Sequence, residues 1–133
     1  MTTPPLPLSA PLALVLVLMA LMFLVLSFHI IFLRFRHKVG TGDGGVDALH
    51  RAIRVHGNFS EWVPIALLCL LAADLRGAED AWMNGLGGLL VVARLAHAIG
   101  LTQTTWTSIP RTAGVAGTVT VIVTASGLVL ASL

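Results

Sequence analysis

The chain has 133 residues, of which 56% are hydrophobic and only 11% charged. A soluble domain runs near 25% charged residues, so too few charges are present to cover a water-facing surface, and the apolar excess is expected to face lipid. A formal charge of +2 with no basic block gives no support to a nucleic-acid partner, and the single cysteine, Cys69, excludes an intrachain disulfide and any cysteine-based metal site.

In chain order the sequence reads as one domain over 1–133, an all-α integral membrane four-helix bundle. The first span is expected over Leu8–Leu33, with Pro4, Pro5 and Pro7 preventing an earlier start and Pro11 suited to a first helical turn. No Lys or Arg precedes Arg34, and the apolar run from Leu6 is too long for a cleaved signal peptide, so the span reads as a retained helix. The glycine-rich turn Gly40–Gly45 follows, Asp43 reads as a turn residue, and Asp47 offers a helix N-cap. The second span, Asp47–Ala73, contains Pro64, which removes a backbone bond to Ser60 and predicts a kink. Asp74–Asp80 leads to a third span over Ala81–Leu101. Thr102–Ile109 leads to a fourth over Pro110–Ala131, with Pro110 at a first helical position. Each span is long enough to cross a hydrocarbon core of ~30 Å.

Charge bias orients the bundle. Arg34, Arg36, Lys38, Arg51 and Arg54 surround the first connection, whereas the second sets Arg76 against Asp74, Glu79 and Asp80. The positive-inside rule then puts the first and third connections in the cytosol and both termini outside it, and Arg111 agrees. Spans three and four are rich in small residues, among them Gly87, Gly100, Gly114 and Gly117, which let helix backbones approach closely in lipid. Four short helices leave little interior, so self-association is expected.

Polar residues gather at membrane depth. Arg51, Arg54, Asn58 and Glu61 share one helical face within about 80° of arc. At ~1.5 Å per residue from Ala73, Glu61 lies ~18 Å in, Asn58 ~22 Å and Arg54 ~28 Å. Arg94 reaches ~20 Å from Ala81 by the same rise, with His97 at i+3 on its face. Arg111 and Thr112 enter the fourth span near the depth of Arg54. Mid-membrane charges cost ~2.5–3.5 kcal/mol each on insertion scales and usually face a bundle interior. One reading is structural: Glu61 pairs with Arg94 and fixes helix register. The other is an anionic ligand entering from the cytosol, because cations outnumber acids here. His29, His37, His50 and His56 are read as interfacial or packing residues, Trp82 and Trp106 as interfacial belts, Trp62 as packing, and Cys69 as a buried small hydrophobe. No paired catalytic carboxylates, phosphate loop or nucleophile triad is present, and no metal site is expected.

The segment from Arg51 to Pro64, RAIRVHGNFSEWVP, resembles the second-helix signature of the MAPEG family, the membrane-associated proteins of eicosanoid and glutathione metabolism. Arg54, Asn58, Glu61 and Pro64 supply the pattern. Arg94-Leu95-Ala96-His97 is similar to the family's Arg-x-x-His, and Pro110-Arg111-Thr112 to its Arg-Ser element. The chain looks most like the short bacterial branch of inner-membrane proteins. The resemblance implies a homotrimer with glutathione, as co-substrate, held between subunits near the cytosolic side, and a lipophilic substrate arriving from the bilayer. It implies that Arg51, Arg54, Asn58, Glu61, Arg94 and His97 bind glutathione while Arg111 and Thr112 are catalytic, poising the sulfur as thiolate. The sequence departs from the family at Gly57, often Arg in the enzymes; at Leu101, where a tyrosine is usual; and at Thr112, where Ser is usual. A glutathione-dependent transferase or peroxidase is the first functional expectation, a non-catalytic lipid- or ligand-binding protein of the same fold the second, and a purely structural polar core the third.

Overall fold

The computed structural model describes residues 8–104 and 106–133, so the expectation for Pro4, Pro5 and Pro7 lies outside the described residues. Four helices follow one another: α1 (Ala10–His37), α2 (Asp47–Leu75), α3 (Asp80–Gln103) and α4 (Ile109–Ala131). All four are long and apolar enough to cross a membrane.

Local chemistry sets the helix ends. Ser9 caps α1, its hydroxyl accepting from the Leu12 N–H at 3.4 Å, and Pro11 sits in the first turn, where a missing N–H costs nothing. The helix continues past Leu33 because Arg34, Arg36 and His37 in its last turn complement the negative end of its dipole. Lys38, left-handed at φ 55°, stops it. Asp47 is not the N-cap of α2; it is the first helical residue, after Val46. The aspartate that organises this connection is Asp43. Its carboxylate accepts the Gly45 N–H at 3.0 Å and bonds His50 Nδ1 at 2.7 Å. Glycines at 42, 44 and 45 supply the positive φ the turn needs. The Gly45 amide and then His50 hold the Asp43 carboxyl below the usual carboxylate range, so the clamp persists as pH falls toward that range and is lost only below it. α2 runs as one helix through Pro64. The far end of the bundle is tied twice: the Ser9 N–H donates to Asp74 at 3.1 Å, and Arg76 Nε donates to Ser132 Oγ at 3.0 Å.

The apolar core joins all four helices through Leu12, Met19, Phe59, Leu70, Met83, Leu90, Val121 and Ala125. A smaller cluster of Leu33, Leu49 and Ala52 packs α1 on α2 at the other end. α1 leaves a long row exposed, including Leu14, Leu21, Val25 and Phe28, as a lipid-facing helix should. α1 and α2 are also joined within the membrane span by His56, whose Nε2 lies 2.9 Å from Ser27 Oγ and whose ring lies 4.9 Å from that of Phe23. Cys69 is half-buried, taking a hydrogen bond from Ser126 Oγ at 3.6 Å.

The tightest packing is α3 on α4. A Cβ on Gly114 would lie 2.5 Å from the Ala93 carbonyl oxygen and 2.6 Å from His97 Cβ; one on Gly100 would lie 2.6 Å from the Arg111 amide nitrogen. The glycines there permit backbone contact that no larger residue allows. Gly114→Ala should therefore destabilise the bundle by about 1–3 kcal/mol through overpacking. Gly127→Ala, with nothing within 4 Å of the added carbon, should be near neutral. Thermal unfolding in one detergent compares the two, and equal melting temperatures would contradict the close approach.

Candidate functional site

Because α4 lies so close to α3, a side chain on α3 can reach the α4 backbone. Arg94 does so. It is 2% exposed, and its Nη2 donates to the Gly114 carbonyl at 3.1 Å. The same carbonyl accepts from Thr118 Oγ1 at 2.9 Å, and Thr118 is fully buried. Arg94 Nη1 donates to Asn58 Oδ1 on α2 at 3.1 Å. One guanidinium thus joins three helices. Its Nε is buried with no hydrogen-bond partner among the described residues. His97, 3% exposed, lies one turn on, wedged against Gly114.

Glu61 does not neutralise Arg94, contrary to the structural expectation. It lies on the exposed outer face of α2, 14 residues before the Leu75 end, or ~21 Å along the helix. Asn58 and Gly114 take the guanidinium instead, because they face the α2–α3–α4 junction and Glu61 does not.

On the other side of Asn58 a cavity of about 150 Å³ is lined by His50, Arg51, Arg54, Asn58, Leu101 and Arg111. Three guanidinium side chains from α2 and α4 meet there with an amide and an imidazole, and none of these six lining residues is acidic. Bidentate guanidinium donors suit carboxylate or phosphate ligands. The residues expected at the site therefore divide. Arg51, Arg54, Asn58 and Arg111 share this cavity. Arg94 and His97 stand behind its wall, Arg94 bonded to the lining Asn58. Glu61 and Thr112 are not among its lining residues, and the Thr112 hydroxyl donates to the Ser108 carbonyl at 3.1 Å. His50, which the sequence offers only as an interfacial or packing residue, also lines the cavity. Its place in the first turn of α2 borders the arginine face, and the Asp43 clamp shows how its ring is held beside the arginines. Leu101, at the position where the resemblance leads one to expect tyrosine, also lines the cavity.

The architecture and the arginine-lined pocket define a four-helix membrane-type bundle with a polar chamber at the basic end. The chain belongs to the MAPEG family, whose family model matches residues 12–131. It is similar to the inner membrane protein YecN of Escherichia coli in two strains, 43% identical to each over 89 residues, which is 66% of this chain and 67% of theirs.

Arg94 and Asn58 should be energetically coupled. Arg94→Gln and Asn58→Ala should each cost about 1–3 kcal/mol by stranding a buried partner. The double variant should show a coupling of about 0.5–3 kcal/mol. Arg94→Gln and Glu61→Gln should instead add to within about 0.5 kcal/mol. A denaturation cycle giving strong Arg94–Glu61 coupling and none with Asn58 would reverse the assignment.

Proposed function

We propose that this chain is a membrane-embedded glutathione-binding protein acting as a glutathione-dependent transferase or peroxidase on a lipophilic substrate, in the inner membrane. The observation that carries the reading is the cavity lined by Arg51, Arg54 and Arg111 with no lining carboxylate. Glutathione brings two carboxylates, one ammonium and a thiol. Two arginines match the carboxylates in two-point geometry. A third cation beside the sulfur lowers the thiol pKa and favours thiolate. Of the pair expected to poise that sulfur, Arg111 is the cation at this cavity. The thiol proton leaves to water, the thiolate sulfur forms a bond to an electrophilic carbon of the second substrate, and that carbon's leaving group departs with the bonding electron pair.

Two observations favour assembly of the site between copies in a homotrimer. The cavity of about 150 Å³ falls below the roughly 300–1,000 Å³ of ligand pockets. Glu61, at membrane depth on the outer face of the single bundle, needs a cationic or polar neighbour that the described residues of one copy do not give it. A neighbouring copy supplies the missing wall and the counter-charge, and Glu61 then joins the site. The second reading, a non-catalytic ligand-binding protein, is favoured by Leu101 in the cavity wall and by the Thr112 hydroxyl being engaged by Ser108. Glutathione turnover with a lipophilic electrophile separates the two.

Arg54→Ala and Arg111→Ala should each weaken glutathione binding by roughly 10- to 150-fold, the loss of one charge-assisted contact of ~1.5–3 kcal/mol. Calorimetry on detergent-purified protein measures the affinity, and native mass spectrometry counts three chains in parent and variants. Absent binding by the parent rejects the glutathione reading, and a monomer rejects the shared site.

The charge bias supports an orientation with the first connection in the cytosol and both termini outside it. In a Cys69→Ala background, Gly42→Cys should resist a membrane-impermeant thiol reagent in intact cells while Ala78→Cys reacts. The reverse pattern would put the arginine cavity on the wrong side for cytosolic glutathione.

A further inference from the structure

A second cavity, of about 460 Å³, lies at the end of α1 and shares no lining residue with the first. Ile31, Arg34, Phe35, Lys38, Val39 and Gly40 line it. Ile31, Arg34, Phe35 and Lys38 follow at helical spacing on one stripe. One nitrogen of Arg34, Nη1, is buried and has no hydrogen-bond partner among the described residues. None of the six lining residues is acidic, so the cavity sets Arg34 and Lys38 together without a counter-charge in its own wall.

Depth says which anion. Arg34 is 24 residues from the Ala10 start of α1, or ~36 Å along it. The hydrocarbon core is ~30 Å thick, and ~40–45 Å with the headgroups included. Arg34 therefore stands in the headgroup layer, where lipid phosphates lie, with Lys38 one turn further out. Towards the bilayer centre the same stripe continues as Phe35, Ile31, Phe28 and Leu24, all exposed. Charge at one end and an apolar ridge running into the hydrocarbon match the two halves of a phospholipid. A free anion matches only the first.

We propose that Arg34 and Lys38 bind the phosphate of an anionic phospholipid, whose acyl chain lies along Ile31, Phe28 and Leu24. Two cations favour a lipid with net negative charge over a zwitterionic one, whose own ammonium they repel. The site is separate from the arginine cavity, so failure of the glutathione reading leaves it standing.

The test uses the full chain in dodecyl maltoside micelles doped with phosphatidylglycerol or phosphatidylcholine. Native mass spectrometry should show phosphatidylglycerol retained by the parent, and its melting temperature should rise saturably with that lipid. Phosphatidylcholine should do neither. Arg34→Gln with Lys38→Gln should weaken retention at least tenfold. Should that pair fail to fold, Lys38→Gln alone, at an exposed position, should still weaken it measurably. Arg36→Gln, exposed on the same helix but off the cavity, should retain lipid as the parent does. Equal retention in the Lys38 variant, equal loss in Arg36→Gln, or equal retention of phosphatidylcholine would overturn the site. Stabilisation by inorganic phosphate matching that by the lipid would overturn the lipid as its occupant.

Discussion

In a bundle surrounded by lipid, a buried guanidinium must look for its acceptors mainly inside the protein. Arg94 meets that demand by spending one nitrogen on the Asn58 side chain of α2 and another on the Gly114 carbonyl of α4. Much else follows from these two bonds. The α4 carbonyl is within reach only because Gly114 has no side chain. Asn58, held by its oxygen, is also part of the cavity wall. Fixing α4 against α3 at Gly114 also sets where Arg111, one turn earlier, meets Arg51 and Arg54. The charge that looks most expensive in the sequence is thus the group that aligns three helices, and it acts on the cavity from behind.

The sequence made the helices and their order legible for a simple reason. Hydrocarbon thickness fixes how long an apolar run must be, and glycine, proline and charge mark the ends. The shared face of Arg51, Arg54 and Asn58 was legible because helical periodicity is a rule about one helix. What the sequence could not convey were choices between helices. Depth arithmetic set Arg94 level with both Glu61 and Asn58, but depth carries no azimuth. Rotation of α2 decides that Asn58 meets the junction while Glu61, about 60° round the same helix, falls on the exposed side of it. A backbone carbonyl such as that of Gly114 leaves no mark in a sequence at all. The Ser27–His56 contact is similar: two residues unremarkable alone become a polar link between α1 and α2 once packed. Asp43, by contrast, carried a signal, since an aspartate in a glycine turn bonds its own backbone two residues on; its grip on His50 needed the fold.

The two cavities at the basic end draw on separate cations, Arg51, Arg54 and Arg111 in one and Arg34 and Lys38 in the other. One draws on α2 and α4, the other on the end of α1, and the Asp43 turn runs between these elements. Arginines in the first are backed by Arg94 through Asn58, which gives them a fixed platform. Arg34 and Lys38 sit at the loop end of a helix whose outer face is otherwise apolar. The proposed ligands differ accordingly: a small, many-pointed anion on the first, and a phosphate tethered to a hydrocarbon chain on the second.

Arg94 sets the cavity by holding α4 in place, without itself lining it. Spin labels at Ala48→Cys and Ala113→Cys in a Cys69→Ala background, diluted with unlabelled chains, report the separation of α2 and α4 at the basic end by pulsed dipolar spectroscopy. With Arg94 intact the distance distribution should be narrow, and Arg94→Met should broaden it or shift it outward while α-helix content stays the same. An unchanged narrow distribution in Arg94→Met would contradict the account, and would mean that apolar packing alone positions the arginines.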